Sequence, residues 1–450
     1  MNKKIQAGTI LTLLAAFLLA GFTATYAQTE VSNWNDLNNV RNNLTGNYIL
    51  VNDIDEQSAG YAAHNTGDGW QPIGHESDNR FAGTFDGDGY TITGLTIDRA
   101  TGNNGLFGYT ENATIRNVGL VNASIKAGAG NNGALAGNLL NTNISNSWAT
   151  GTVESTTTGN SANFAGLLGR FEGGVIQDSW ADVFVDSGPL CNNAGGLVGY
   201  LNDGTERTAQ ILRSYALGDV YGDRDRVGGL VGANNGSIID SYARGNVLGG
   251  SDRAAGLVGW NLEGKLINRS YSTGTVEGGA RIGGLVAHND AGTVNDSFWD
   301  TQASGETESD AGTGKTTEEM KTQSTFVGWS FSDTWAFDES INDGYPILQF
   351  QLPTSSETGP QLPQELVLNQ NYPNPFNPTT VISYQIMEQQ HVRLSVYDVT
   401  GRLIAVLVNQ QQSPGDYQVN WDAGQLSSGV YIYRLESAGQ TLSRTMTFVK

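Results

Sequence analysis

Seven times between Asn103 and Asp300 the chain returns to one phrase: a Gly-Leu-Val-Gly block, an aliphatic residue, a Ser-aromatic pair, then Gly-x-Val. One copy reads Gly229-Leu230-Val231-Gly232, Ile238, Ser241-Tyr242-Ala243, Gly245 and Val247. The next reads Gly256-Leu257-Val258-Gly259, Ile267, Ser270-Tyr271-Ser272, Gly274 and Val276. Further copies centre on Leu106, Leu135, Leu167, Leu197 and Leu285. A spacing of roughly 27 to 33 residues lies in the window of stacked-repeat architectures, and a repeat that cannot bury its apolar face alone must stack on its neighbours.

Glycine interrupts every few residues, so no apolar pattern at helical spacing survives. Ala243, Gly245 and Val247 alternate with Arg244 and Asn246, the period of a strand with one buried face. Each copy therefore predicts three short strands: the Gly-Leu-Val-Gly piece, the piece around Ile238 or Ile267, and the Ala-x-Gly-x-Val piece. The fold predicted is all-β, a right-handed parallel β-helix, with Ile115, Ile144, Ile176, Ile211, Ile238, Ile267 and Val294 as one interior ladder. A four-stranded propeller blade is the competitor, but the copies are short for one.

Residues 1–27 read as an export signal, with Lys3 and Lys4, an apolar core from Ile10 to Phe22, and small residues ending at Ala27. No later run is long enough to span a membrane as a helix. Residues 28–100 form an N-terminal cap and lead-in, in which Trp34, Leu37, Val40 and Leu44 allow a short helix and Tyr48–Val51 a strand. Residues 101–350 carry the repeats and a closing segment. Pro353, Pro360 and Pro363 mark a linker over 351–364. Residues 365–450 are independent, with six strands at short spacing that suggest a small Ig-like β-sandwich.

Two resemblances follow from these residues. Asn47–Asp55, Trp70-Gln71-Pro72-Ile73-Gly74 and Phe81–Gly87, followed by the repeats and by Ser297-Phe298-Trp299-Asp300 and Gly344–Leu348, resemble bacterial surface proteins carrying GLUG motifs. That family is associated with adhesin-like architectures and some immunoglobulin-A peptidases. The C-terminal segment resembles the sorting domain of type IX secretion substrates through Tyr372, Pro373, Asn374, Pro375, Phe376, Gly401, Arg402, Gly429, Tyr431 and Lys450. The resemblance implies the type IX secretion machinery as partner, passage across the outer membrane, and an extracellular or cell-surface location.

The net charge of -21 excludes nucleic acid as a natural partner. No cofactor is expected; structural calcium is weighed at Asp86-Gly87-Asp88-Gly89, where a plain turn is favoured. Gly312–Thr316 lacks the first glycine of a phosphate loop, and His64, His75, His288 and His391 have no metal spacing. The single Cys191 rules out an intramolecular disulfide framework.

Asp178, Asp240 and Asp296 share one repeat position with Asn146, Arg213 and Arg269, which favours a structural corner over a catalytic carboxylate pair. The candidate binding feature is the aromatic column Trp148, Trp180, Tyr215, Tyr242, Tyr271 and Phe298. Exposed, it would offer a stripe to a surface glycan or to a protein of a host or neighbouring cell; the favoured alternative is an internal ladder filling a wide coil. The reading is a secreted, non-catalytic binding or adhesion module, with a carbohydrate-active β-helix enzyme, a polysaccharide lyase or glycoside hydrolase, as the alternative.

Overall fold

The computed structural model describes residues 28–450 apart from 101, 157–161, 190, 225 and 353–366, and short stretches of the C-terminal unit at 369–370, 372–373, 387–389, 401, 413–414 and 438–439. The expected export signal and nearly all of the expected linker lie outside the described residues. Two compact units meet at Leu352 and Pro353.

The first unit is a parallel β-solenoid of about seven turns. The predicted aliphatic column is in register from coil to coil, Ile115 beside Ile144, then Ile176, Ile211, Ile238, Ile267 and Val294. It continues backwards through Phe85 to Tyr48, so the lead-in is built into the same sheet. Each isoleucine of the column is fully buried, worth about 1.5–3 kcal/mol apiece against an exposed side chain. The Leu column of the Gly-Leu-Val-Gly blocks, Leu106 through Leu285, is equally buried in the same core.

A coil contains more strands than the three predicted. The coil beginning at Val231 has Val231–Asn235, Ser237–Ile239, Tyr242–Ala243, Val247–Gly249 and Arg253–Ala255, distributed over four sheets. The additional sheet pairs the residues just before each Gly-Leu-Val-Gly block, Gly130–Gly133 through Arg281–Gly283. Its strands are short, with glycine and asparagine in the early coils and an arginine followed by small or apolar residues in the later ones, which hides them from apolar periodicity. Close approach favours glycine at the start of a block, although Ala134 stands there in one copy: a Cβ on Gly229 would lie 2.2 Å from the carbonyl oxygen of Gly256 in the next coil.

The helix predicted from Trp34 onward spans Trp34–Asn39, with Val40–Asn42 as one further tight turn. Asn33 caps it by accepting from the N–H groups of Asn35 and Asp36. Trp34, Leu37 and Val40 are fully buried against the first coils, so the helix covers apolar surface that would otherwise end in water.

The second unit holds two antiparallel sheets, consistent with the small sandwich predicted. One contains Val367–Leu368, Thr379–Ile386 and Gly415–Asp422; the other contains Gln390–Asp398, Leu403–Gln412, Gly429–Ser437 and Gln440–Phe448. Ile382, Tyr384, Val392, Leu394, Tyr433 and Phe448 share their core.

Candidate functional site

The outer surface of the solenoid is organised by one corner. Asn117, Asn146, Asp178, Arg213, Asp240, Arg269 and Asp296 occupy it on successive coils, all with φ between 44 and 55°, a left-handed bend that short polar residues tolerate best. From Asn146 onward a serine follows the corner, and it is buried. Its N–H donates to the hydroxyl of the serine one coil later: Ser147 to Ser179, Ser179 to Ser214, Ser214 to Ser241, Ser241 to Ser270, Ser270 to Ser297, at 3.1–3.3 Å. Each hydroxyl in turn donates to the carbonyl two residues before it, as Ser241 does to Ile239 at 2.9 Å. A hydroxyl is small enough for the interior and does both jobs, which accounts for the serine of the repeated Ser-aromatic pair.

On the corner itself charges alternate. Arg213 makes a bidentate pair with Asp178 at 2.7 and 2.8 Å, and Arg269 does the same with Asp240. The hydrogen bonds to those carboxylates push both guanidinium groups above their ordinary pKa, against the opposing effect of burial. Asp178 and Asp240 are thereby engaged as acceptors, and Asp240 accepts a third bond from the indole of Trp335. The column is a structural corner.

The aromatic column stands on the strands that leave this corner. Trp148 and Trp180 stack at 4.8 Å and 2°, Trp180 and Tyr215 at 5.8 Å and 4°, Tyr215 and Tyr242 at 4.8 Å and 3°, Tyr242 and Tyr271 at 4.9 Å and 7°. The favoured expectation of a ladder inside the coil needs correction. The alternate residues Ala149, Ala181, Ala216 and Ala243 enter the core, so the rings stand on the outer face. Phe298 ends the column, touching Phe326 and Trp329 rather than stacking on Tyr271.

What buries these outer rings is the closing segment, which folds back over them. Met320, Phe326, Trp329, Trp335, Tyr345 and Leu348 form a separate apolar cluster with Tyr215, Tyr242, Tyr271 and Phe298. The hydroxyl of Tyr271 donates to the Pro346 carbonyl at 2.6 Å, and that of Tyr242 bonds the Gln351 amide. Arg244 reaches Asn342 and Asp343 at 2.6 and 2.7 Å. Burial raises the pKa of Tyr242 and Tyr271 well above the ordinary tyrosine value. Trp148 and Trp180 are partly buried, and Trp180 packs against this cluster. Nothing in the repeats signalled this cover, although the aromatic density of residues 326–345 was available as a signal.

The other groups singled out in the sequence have structural surroundings. Asp86 accepts from Arg116 and Asn117 on the next coil and from the N–H of Asp88. Burial raises its pKa, but these hydrogen bonds and the Arg116 charge outweigh that and hold it below the ordinary carboxylate value. Thr313–Lys315 is a solenoid strand beside Phe298–Asp300, and Thr316 caps the following helix. His75 is beside Glu76, and His288 beside Asp310. Among the described residues no three His, Cys, Asp or Glu side chains gather as a metal site. Cys191 is buried, its thiol against the carbonyls of Ala162 and Asn193.

Within the second unit, Phe376 packs on Trp421 and Phe448. Asn374 accepts from the Thr447 N–H, while Pro375 is exposed. Arg402 pairs with Asp398 at 3.0 Å, and Tyr431 donates to the Ser427 carbonyl. Gly429 begins a strand, and the N–H of Lys450 donates to Ser428. Tyr372, Pro373 and Gly401 lie outside the described residues.

Residues 370–449 match the secretion system C-terminal sorting domain family, and residues 224–248 match the GLUG motif. Halomucin of Haloquadratum walsbyi is 33% identical over 324 residues, 70% of this chain and 3% of that protein. A protein of Evansella cellulosilytica, described as a candidate Gly-rich membrane protein, is 43% identical over 108 residues, 23% of this chain and 12% of that one. The chain thus spans a small fraction of the length of these relatives. A crystal structure of a candidate immunoglobulin A1 protease from Bacteroides ovatus shares 20% identity at a TM-score of 0.48, covering 72% of this chain and 93% of that one; a likeness at that level carries no functional inference. Among the described residues no helix is long and apolar enough to cross a membrane. The sorting domain directs passage across the outer membrane to an extracellular or surface location. The chain thus carries a type IX secretion C-terminal sorting domain at 370–449 and, within its repeats, a GLUG motif at 224–248.

Proposed function

We propose that this exported solenoid is a non-catalytic binding or adhesion module, holding a ligand outside the cell on a rigid repeated surface. The observation that carries the reading is the state of the corner carboxylates. Glycosidic cleavage needs two carboxyl groups facing one bond, one to protonate and one to attack or to activate water. Asp178 and Asp240, two of the three repeated acids, are each held by a bidentate arginine, so their oxygens are already occupied by guanidinium hydrogen bonds.

The two rungs that the strap does not bury, Trp148 and Trp180, by contrast repeat one side-chain type at a ring spacing of 4.8 Å. Such a surface suits an extended ligand or a neighbouring cell's polymer, met through many weak contacts. The test is a glycan-array screen of the full chain, alongside adhesion of coated beads to glycan-bearing surfaces. Specific retention on a defined glycan set is expected. Absence of retention on every glycan and surface would remove the binding reading.

A further inference from the structure

The strap leaves two rungs of the aromatic column, Trp148 and Trp180, partly exposed, and we infer that the face centred on Trp180, Asp182 and Phe184 binds an uncharged polysaccharide; the inference rests on the binding reading above. Along Trp180–Asp186 exposure alternates, with Ala181, Val183 and Val185 buried and Trp180, Asp182, Phe184 and Asp186 on the outer side. The adjacent coil presents Trp148, Thr150, Thr152 and Glu154 in register with those four. On the other side Asp186 neighbours Tyr221, and Tyr221 neighbours Leu248. Phe184 and Tyr221 meet edge to face at 5.1 Å and 85°, and Leu248 is 44% exposed.

The chemistry of this face differs from that under the strap. Beneath it every polar tip has a partner within the chain: Tyr242 on Gln351, Tyr271 on Pro346, Trp335 on Asp240. On this face Trp180 is partly exposed and Asp182 exposed; an indole N–H offers a donor, and a carboxylate offers acceptors to sugar hydroxyls. The faces of Trp148 and Trp180 are turned toward one another, so the column presents ring edges. The edge-to-face Phe184–Tyr221 pair supplies the apolar platform on which a pyranose C–H face can rest.

Charge selects the ligand class. Glu154, Asp182 and Asp186 stand on this face, with Lys126 beside Glu154 on the preceding coil, in a chain of net charge -21. A uronate-rich or sulfated polymer would be repelled, whereas an uncharged one meets acceptors for its hydroxyl protons. Lying along the solenoid axis, it would pass from Trp148, Thr152 and Glu154 on one coil to Trp180, Phe184 and Asp186 on the next.

The experiment titrates soluble uncharged glucan, mannan and xylan oligosaccharides, and matched uronate and sulfated oligosaccharides, into the full chain and into W180A, D182N and Y221A. Tryptophan fluorescence and calorimetry are the readouts. The expected result is binding of at least one uncharged series with little dependence on salt, weakened roughly tenfold by W180A as for a central contact residue and measurably by D182N. D182N alters only an exposed side chain, so a folding defect in W180A leaves the test intact. Preference for the charged series overturns the ligand class. Uncharged-glycan binding that D182N and Y221A leave untouched overturns the site while sparing the binding reading; silence toward every glycan and surface overturns both.

Discussion

Arg269 grips Asp240 from the next coil through two hydrogen bonds, at 2.7 and 2.8 Å, while Trp335 of the closing segment donates to the same carboxylate at 3.1 Å. One acid therefore ties together the corner of two coils and the strap that covers the aromatic column. With Asp240 only 12% and Arg269 28% exposed, the pair is shielded enough to matter. A double-mutant cycle over D240N and R269Q, read by denaturant unfolding, should give a coupling of about 1–2 kcal/mol. A coupling of zero would reduce the alternating column to a surface decoration.

Ser241 accepts the N–H of Ser214 and is itself fully buried. S241A should cost about 1–3 kcal/mol, because it orphans a buried donor as well as deleting a hydroxyl. Calorimetric unfolding checks this, and an equal effect of an alanine at exposed Ser340 would argue against a special role for the serine ladder.

Trp335 is fully buried between Tyr242 and Tyr271, with ring centroids 6.3 and 6.0 Å away. W335A should destabilise the first unit by about 3–5 kcal/mol. Its signature should be local: amide exchange should rise over 317–352 and over the Tyr215–Tyr271 strands before it rises along the isoleucine column. Uniform exchange would mean that strap and solenoid unfold as one.

The strap also fixes an alkaline limit. Burial raises the pKa of Tyr242 and Tyr271 in the folded chain, so the folded state holds phenolic protons that the unfolded state releases near pH 10. The associated stability is complete below that pH and is lost as pH rises above it toward the folded-state values. Ultraviolet titration should show these tyrosines ionising late and together with unfolding, and W335A should shift that step to lower pH. Ordinary titration with the fold intact would contradict the burial.

The period of the repeat made the solenoid legible, and the isoleucine register followed from it residue by residue. Serine's role was not legible because its partner sits one coil away, where only three-dimensional stacking places it. The aromatic column was misplaced although the signal was there. Strand alternation already set Ala243 and Val247 on the buried face, which leaves Tyr242 on the other; ring size alone suggested the interior. The strap is not repeated, so periodicity was silent about it, yet its six aromatic residues from Phe326 to Tyr345 needed a surface to cover. Glycine- and asparagine-rich strands such as Gly130–Gly133 escaped because close backbone approach, rather than apolar burial, selects their residues.

The central claim is binding without cleavage, and reducing-end release from every glycan that the full chain retains tests it most directly. The account predicts retention with no new reducing ends over prolonged incubation. Release that tracks protein concentration, and that is abolished by neutralising one acid of the outer face, would make the chain a carbohydrate-active enzyme instead.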